Sequence, residues 1–244
     1  MVKWCTSQPN VHDIHTSGLG GDSREKVGGF DVDKDTIKAV ILDIFAAGTD
    51  TTSTNIEWTV SELVKHPRVM QQLQQELTSI ARGSSMITEE HLEKMKYLKA
   101  IIKESLRLHI PVPLLVQRES TQDINLMGYD IPVGTRVIIN AWSLGRDPSL
   151  WEEPEEFKPE RFLNSSLDYK GFHYQFIPFG AGRRGCPGIQ FAIAINELAI
   201  ANLVYKYDLL LPDGKGGEEL DMSEITGLTT HRKSPLLLMA SPRF

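Results

Sequence analysis

Cysteine is almost absent from this chain, with Cys5 and Cys186 the only two in 244 residues. Two distant thiols make no disulfide framework, so a small cross-linked secreted scaffold is excluded and a reducing compartment is expected. Basic charge is not in excess either. Lys and Arg number 26 against 32 Asp and Glu, for a formal net charge of −6, and no basic stripe marks a nucleic-acid surface. No secretory apolar core follows Met1, and the most apolar stretches are interrupted by Asp43 or by Asn196 and Glu197. Neither therefore reads as a membrane span. Internal repeats and the strand–helix alternation of a parallel α/β sheet are also missing. What is present, 41% hydrophobic residues, suffices for a substantial core.

Residues 1–30 are polar and Gly-rich and read as a flexible lead-in. A long helix follows, with Asp33 as N-cap and Ile37, Ile41, Ile44, Gly48, Thr52, Ile56 and Leu63 at helical spacing, ended by Pro67. Its first half, 39–47, is apolar on nearly every side and is expected to be buried. Further helices are predicted from Pro67 to Arg82, from Thr88, and from Tyr97 to His109. Alternation and turn residues predict short strands over 117–140, and 146–174 reads as irregular. A helix is predicted from Ile189 to Tyr205, with Pro187 in its first turn, and a β-hairpin over 228–239. The fold class is mainly α with small β elements.

The most informative segment is Phe179-Gly-Ala-Gly-Arg-Arg-Gly-Cys186-Pro-Gly188. Glycines let a loop fold tightly around the sulfur. A following helix N-terminus favours a thiolate and so lowers the thiol pKa. Arginines can pair with carboxylates of a bound group. These parts suit a cysteine that ligates a metal; the plainer reading is a structural cysteine in a Gly-rich loop. The segment resembles the haem-binding signature of the cytochrome P-450 family, F-x-x-G-x-R-x-C-x-G, through Phe179, Gly182, Arg184, Cys186 and Gly188. The resemblance implies haem held by a Cys186 thiolate, which favours O–O cleavage.

Three more motifs lie in the order that family shows. Ala47-Gly48-Thr49-Asp50-Thr51-Thr52 is unfavourable inside a helix, and its hydroxyls can bond back to carbonyls and open the helix locally. Read alone, it is either a polar kink or a pocket. It resembles the family's oxygen-activation motif. That implies Asp50 and Thr51 as the acid–alcohol pair delivering protons during dioxygen activation, with Gly48 making room and Ala46 and Ala47 facing substrate. Glu104 and Arg107 lie at i and i+3, an ordinary surface pair except that Ile101, Ile102, Leu106 and Leu108 surround them. The family's E-x-x-R and P-E-R-F elements imply that Arg161 joins them in a structural core.

By the same resemblance Arg118 and Arg184 reach the haem propionates. Pro111, Val112, Pro113, Leu114, Leu115, Gly227 and Leu228 line a pocket for a lipophilic small molecule. Asp-Pro-Ser-Leu-Trp151 through Phe162 and Gly-Leu-Thr-Thr-His-Arg-Lys233 most resemble the plant microsomal branch. Ile110 and Gln117 stand where that branch often has proline. The match covers about residues 31–244. It implies a monooxygenase that takes electrons from NADPH through NADPH–cytochrome P-450 reductase on the cytosolic face of the endoplasmic reticulum membrane. What resembles the family is its C-terminal half; the membrane anchor and early helices have no counterpart. The alternative expectation is a truncated, non-catalytic product or an incomplete gene model that keeps the motifs without a complete pocket.

Overall fold

The computed structural model describes residues 25–27 and 30–244. Most of the lead-in, with Cys5, lies outside the described residues. The chain falls into two units, one ending at Thr49 and one comprising Asp50–Phe244.

In the first unit β1 (Glu25–Val27) pairs antiparallel with β2 (Phe30–Val32). Helix α1 (Lys34–Lys65) begins here and runs on into the second unit. Its 32 residues span about 48 Å at 1.5 Å per residue. Asp33 caps it, with Oδ1 accepting from the Thr36 N–H at 2.7 Å. The expectation of burial over 39–47 is not met. Ile41, Leu42, Ile44 and Phe45 are 62%, 66%, 53% and 71% exposed. Apolar composition states what a helix would gain from cover, not that cover is supplied.

The second half of α1 is buried from Thr52 onward, through Asn55, Trp58, Thr59, Glu62 and Leu63. Helix α2 (Pro67–Ala81) opens on proline, whose missing N–H is not needed in a first turn. It closes through Arg82 in the left-handed region. The one-turn α3 (Glu89–Leu92) follows Thr88. Helix α4 (Lys96–Leu108) buries Leu98, Ile101, Ile102 and Leu106, spaced as one amphipathic face. Its free N-terminal N–H groups are met by the Glu76 carboxylate, which accepts from Tyr97 N at 2.8 Å and Leu98 N at 3.0 Å.

The strands after α4 are short. β3 (Arg118–Glu119) pairs with β6 (Arg136–Val137), and β4 (Ile124–Leu126) with β5 (Tyr129–Ile131) across a Met127-Gly128 turn. A one-turn helix, α5 (Ala141–Leu144), is capped by Asn140, and a 3-10 turn spans Pro159–Phe162 within otherwise irregular chain. Helix α6 (Ile189–Lys206) packs on α2 and α4, burying Ile193, Ile200, Ala201 and Val204 in the main core. It begins after Gly188, so Pro187 precedes the helix rather than sitting in its first turn.

The tail is not the expected hairpin over 228–239. β9 (His231–Arg232) pairs with β8 (Glu224–Ile225), and β10 (Met239–Pro242) pairs with β7 (Tyr207–Leu210). Alternation identified strand-forming residues there, but it carries no information about a distant partner. The fold class is as expected, mainly α with small β elements. Among the described residues no helix is long and apolar enough to cross a membrane.

Candidate functional site

The loop that leads into α6 is built from local backbone bonds. Gly180 N donates to Ile177 O at 2.9 Å, Gly185 N to Gly182 O at 3.0 Å, and Cys186 N to Phe179 O at 2.9 Å. Gly182 has φ +70, a conformation that a side chain would strain. Phe179 is anchored edge-on against Tyr169, with ring centroids 5.9 Å apart. The result presents Cys186 as a free, exposed cysteine at the N-terminus of α6. A Cβ at Gly188 would lie 3.8 Å from Sγ. The expected lowering of the thiol pKa is not seen in the chain by itself. Although the residue is exposed as a whole, the loop partly desolvates its sulfur and so pushes the Cys186 thiol up, against the opposing pull of the Gly188 N–H. One N–H and a helix terminus offset only part of the desolvation.

Arg118, on β3, donates from Nη2 to the Arg184 carbonyl at 2.9 Å. The Arg118 side chain thus reaches the backbone of the cysteine loop at Arg184. Beside them is a cleft of about 280 Å³ lined by Leu115, Arg118, Ile139, Ile177, Gly180 and Ala181 among others. A larger depression of about 470 Å³, bordered by Gln71, Gln74, Gln75, Thr78, Ser79 and Arg243, contains none of the motif residues.

Of the expected pocket residues, Leu115 lines the cleft and Pro111 is buried. Val112 and Pro113 are half-buried, whereas Leu114, Gly227 and Leu228 are exposed. Pro111 O accepts from Thr230 N at 2.9 Å, so the segment after α4 and the approach to β9 are in contact. Ala46 and Ala47 are exposed in the first unit, and a Cβ at Gly48 would meet nothing within 4 Å.

Glu104 and Arg107 are fully buried, at 0% and 1% exposure. Arg107 donates from Nε to Glu104 Oε2 and from Nη2 to Oε1, both at 2.8 Å. Its remaining N–H groups go to the carbonyls of Gly145, Pro154 and Glu156. Arg161 donates from Nε to Glu104 Oε1 at 3.0 Å, and the Lys158 N–H reaches the same oxygen at 2.8 Å. The structure brings Glu104, Arg107 and Arg161 together, with the carboxylate between the guanidiniums. Sequence reasoning missed the three carbonyls, since backbone acceptors leave no side-chain signature. Gly145 was missed too. A Cβ there would collide with the backbone oxygen of Arg107.

On α1, Asp50 and Thr54 lie one turn apart. Asp50 Oδ1 is 3.4 Å from His231 Nε2, and Thr54 Oγ1 is 3.0 Å from His231 Nδ1. Behind them is a buried cluster that the motifs did not announce. Glu62 contacts His109 at 2.6 Å and His66 at 3.1 Å, and His109 stacks on Trp58 at 4.2 Å. Burial pushes the Glu62 carboxyl up, but the hydrogen bonds from His109 and His66 prevail and hold it at about 2. Glu62 in turn raises His66 above its ordinary value.

Comparison with known proteins converges on one answer. The family model for cytochrome P-450 matches residues 15–239, so the chain belongs to the cytochrome P-450 family. The matched range begins inside the lead-in. A 3-beta-hydroxylase of Tanacetum parthenium is 61% identical over 86% of this chain and 43% of its own length. A psoralen synthase of Ammi majus is 58% identical over 90% of this chain and 44% of its own. A zebrafish cytochrome P-450 structure with progesterone superposes with a TM-score of 0.77 at 29% identity, over 87% of this chain and 47% of that one. The chain therefore spans less than half the length of these relatives.

Haem is the group this family implies, and the residues present fit it. A free, exposed cysteine stands just before a helix N-terminus, the Arg118 guanidinium is tied to the backbone of the same loop at Arg184, and the adjoining cleft is largely apolar. Among the described residues no group of three or more His, Cys, Asp or Glu side chains could chelate a bare ion. The lone sulfur suits a metal that brings its other ligands with it.

Proposed function

We propose that this chain carries the haem-thiolate and oxygen-handling parts of a monooxygenase that inserts one atom of dioxygen into a lipophilic organic molecule. Electrons would come from NADPH through a flavoprotein reductase, at the cytosolic face of the endoplasmic reticulum. The observation that carries this reading is the Cys186 loop, a single exposed sulfur fixed by its own backbone beside Arg118 and Arg184. Bound haem would supply the redox iron at which dioxygen is activated.

Cys186 would hold the metal through its thiolate, with Gly188 beside the sulfur, where a Cβ would come into contact at 3.8 Å. Phe179 holds the loop closed through its carbonyl. Arg118 and Arg184 would neutralise carboxylates of the macrocycle. Asp50 and Thr51 would supply protons from the helix, and Gly48 would keep the helix surface open. Glu104, Arg107 and Arg161 position the chain around the loop. The apolar cleft walls, with Leu115, Ile139 and Ile177, favour an apolar ligand and exclude water. Relatives named psoralen synthase and (+)-menthofuran synthase are consistent with small organic substrates.

The test is spectroscopic. The reduced, carbon monoxide-bound, haem-loaded protein should show the far red-shifted Soret band of thiolate ligation, and Cys186→Ser should abolish it. An unchanged band in the variant would remove the reading.

A further inference from the structure

Asp50 presents a problem of direction. Its carboxylate is 51% exposed on a helix surface, free in principle to turn toward solvent. A group that passes protons to one site must point at that site. His231 supplies a second point of attachment. Its Nε2 faces Asp50 Oδ1 at 3.4 Å, and its Nδ1 faces Thr54 Oγ1 at 3.0 Å, so the ring bridges two positions on the same helix face.

The bridge itself is held on both sides. Thr54 is 1% exposed, so the hydroxyl that meets Nδ1 belongs to a buried side chain. The residue before the histidine, Thr230, accepts from Trp58 Nε1 at 3.0 Å through its carbonyl and donates to Pro111 O at 2.9 Å. The residue after it, Arg232, lies over the Trp58 ring at 5.4 Å. Strand β9 is thereby docked against α1 at 50, 54 and 58, one turn apart each, and His231 cannot drift.

The hydrogen bonds fix how the ring meets Thr54. The Thr54 hydroxyl has one proton and donates it to the Asp50 carbonyl at 2.8 Å, so it faces the ring as an acceptor and Nδ1 carries N–H. Nε2 faces the carboxylate at ion-pair distance. The Asp50 carbonyl also accepts from the Ser53 hydroxyl at 3.0 Å. A half-exposed pair at this distance adds little stability. Its effect is to restrict where the carboxylate points.

We propose that His231 is a positioning residue for Asp50, braced by Thr54, and that it sets the orientation from which Asp50 passes protons. This rests on the role given to Asp50 above. The first test needs no turnover. In the chain labelled with ¹⁵N-histidine, the His231 ring should report N–H at Nδ1, the nitrogen that meets Thr54. Asp50→Ala should move the Nε2 resonance and Thr54→Val the Nδ1 resonance. Ring shifts identical in all three proteins would overturn the bridge. The second test uses haem-loaded, reductase-coupled enzyme. His231→Ala should raise the ratio of hydrogen peroxide to product by up to about fivefold, the scale of one exposed ion pair. His231→Gln, which keeps an N–H at similar reach, should restore part of the coupling. Thr51→Ala separates the two readings. If it uncouples while His231→Ala does not, the positioning role fails and the function stands. If neither uncouples, the role of the helix motif fails, and this inference with it.

Discussion

Arg107 is the place where one substitution should be most informative. A guanidinium has five N–H donors, and all five are used: two on Glu104 and one each on Gly145, Pro154 and Glu156. None is spare, and the side chain is sealed from water. Arg107→Lys keeps the charge but has three donors on one nitrogen, so it cannot make the bidentate pair and leaves at least two acceptors unmet. Each orphaned buried group costs about 1–3 kcal/mol, and broken buried pairs cost about 3–5 kcal/mol in total. Against a typical domain stability of about 5–15 kcal/mol, that is a large share. Urea unfolding followed by tryptophan fluorescence reads it directly, because the guanidinium lies 5.2 Å from the Trp151 ring. Circular dichroism on the same samples checks that one transition is being followed. Arg107→Lys should lose about 3–5 kcal/mol. Arg161→Ala should lose less, since Arg161 makes one bond to Glu104, its bonds to the Glu152 and Glu153 carbonyls are exposed, and the Glu156 carbonyl keeps Arg107. A loss below about 1 kcal/mol for Arg107→Lys would show that the buried network is not the constraint described.

Other substitutions test separate features. Gly145→Ala should destabilise by about 1–3 kcal/mol in the same assay, because the added methyl has only the Arg107 backbone to meet and must displace it. The Glu62–His66 pair should make stability pH-dependent in two windows. The Glu62 value is depressed from 4.5 to about 2, so its contribution is full above 4.5 and is lost as pH falls toward 2. The His66 value is raised from 6.5, so its contribution is full below 6.5 and is lost as pH climbs through the raised value. His66→Gln should remove the alkaline limb, and thermal unfolding from pH 5 to 9 would show whether it does. Leu42→Gln with Phe45→Ser should reduce self-association in light scattering, since both side chains stand mostly exposed on one helix.

The sequence made the helices legible because their signals are local. Asp33 and Pro67 bracket α1, and Arg82 with Gly83 ends α2. The spacing of Glu104 and Arg107, set among aliphatic residues, pointed to a pair inside the core rather than on the surface. Non-local facts were not legible. The partner of β9 is Glu224–Ile225 and that of β10 is Tyr207–Leu210, choices that alternation cannot make. The apolar run at 39–47 promised burial and received none. The Cys186 loop was readable as a constellation, but the thiol's upward displacement depends on how much water the folded loop excludes. His231 stood in plain view within Gly-Leu-Thr-Thr-His-Arg-Lys, yet nothing in its neighbours says that it reaches α1.

The carbonyls gathered by Arg107 carry a consequence for how this region changes over time. Positions 145, 154 and 156 are recognised through main-chain oxygens, which every amino acid possesses. At 154 and 156 the guanidinium therefore accepts almost any side chain, provided the backbone path is kept. Drift in the identity of those residues should be cheap, whereas an insertion that shifts the path by one peptide should be ruinous. The stretch looks unstructured because it borrows its order from a helix 38 to 49 residues upstream. Its tolerance to mutation and its intolerance of length change are two faces of that loan.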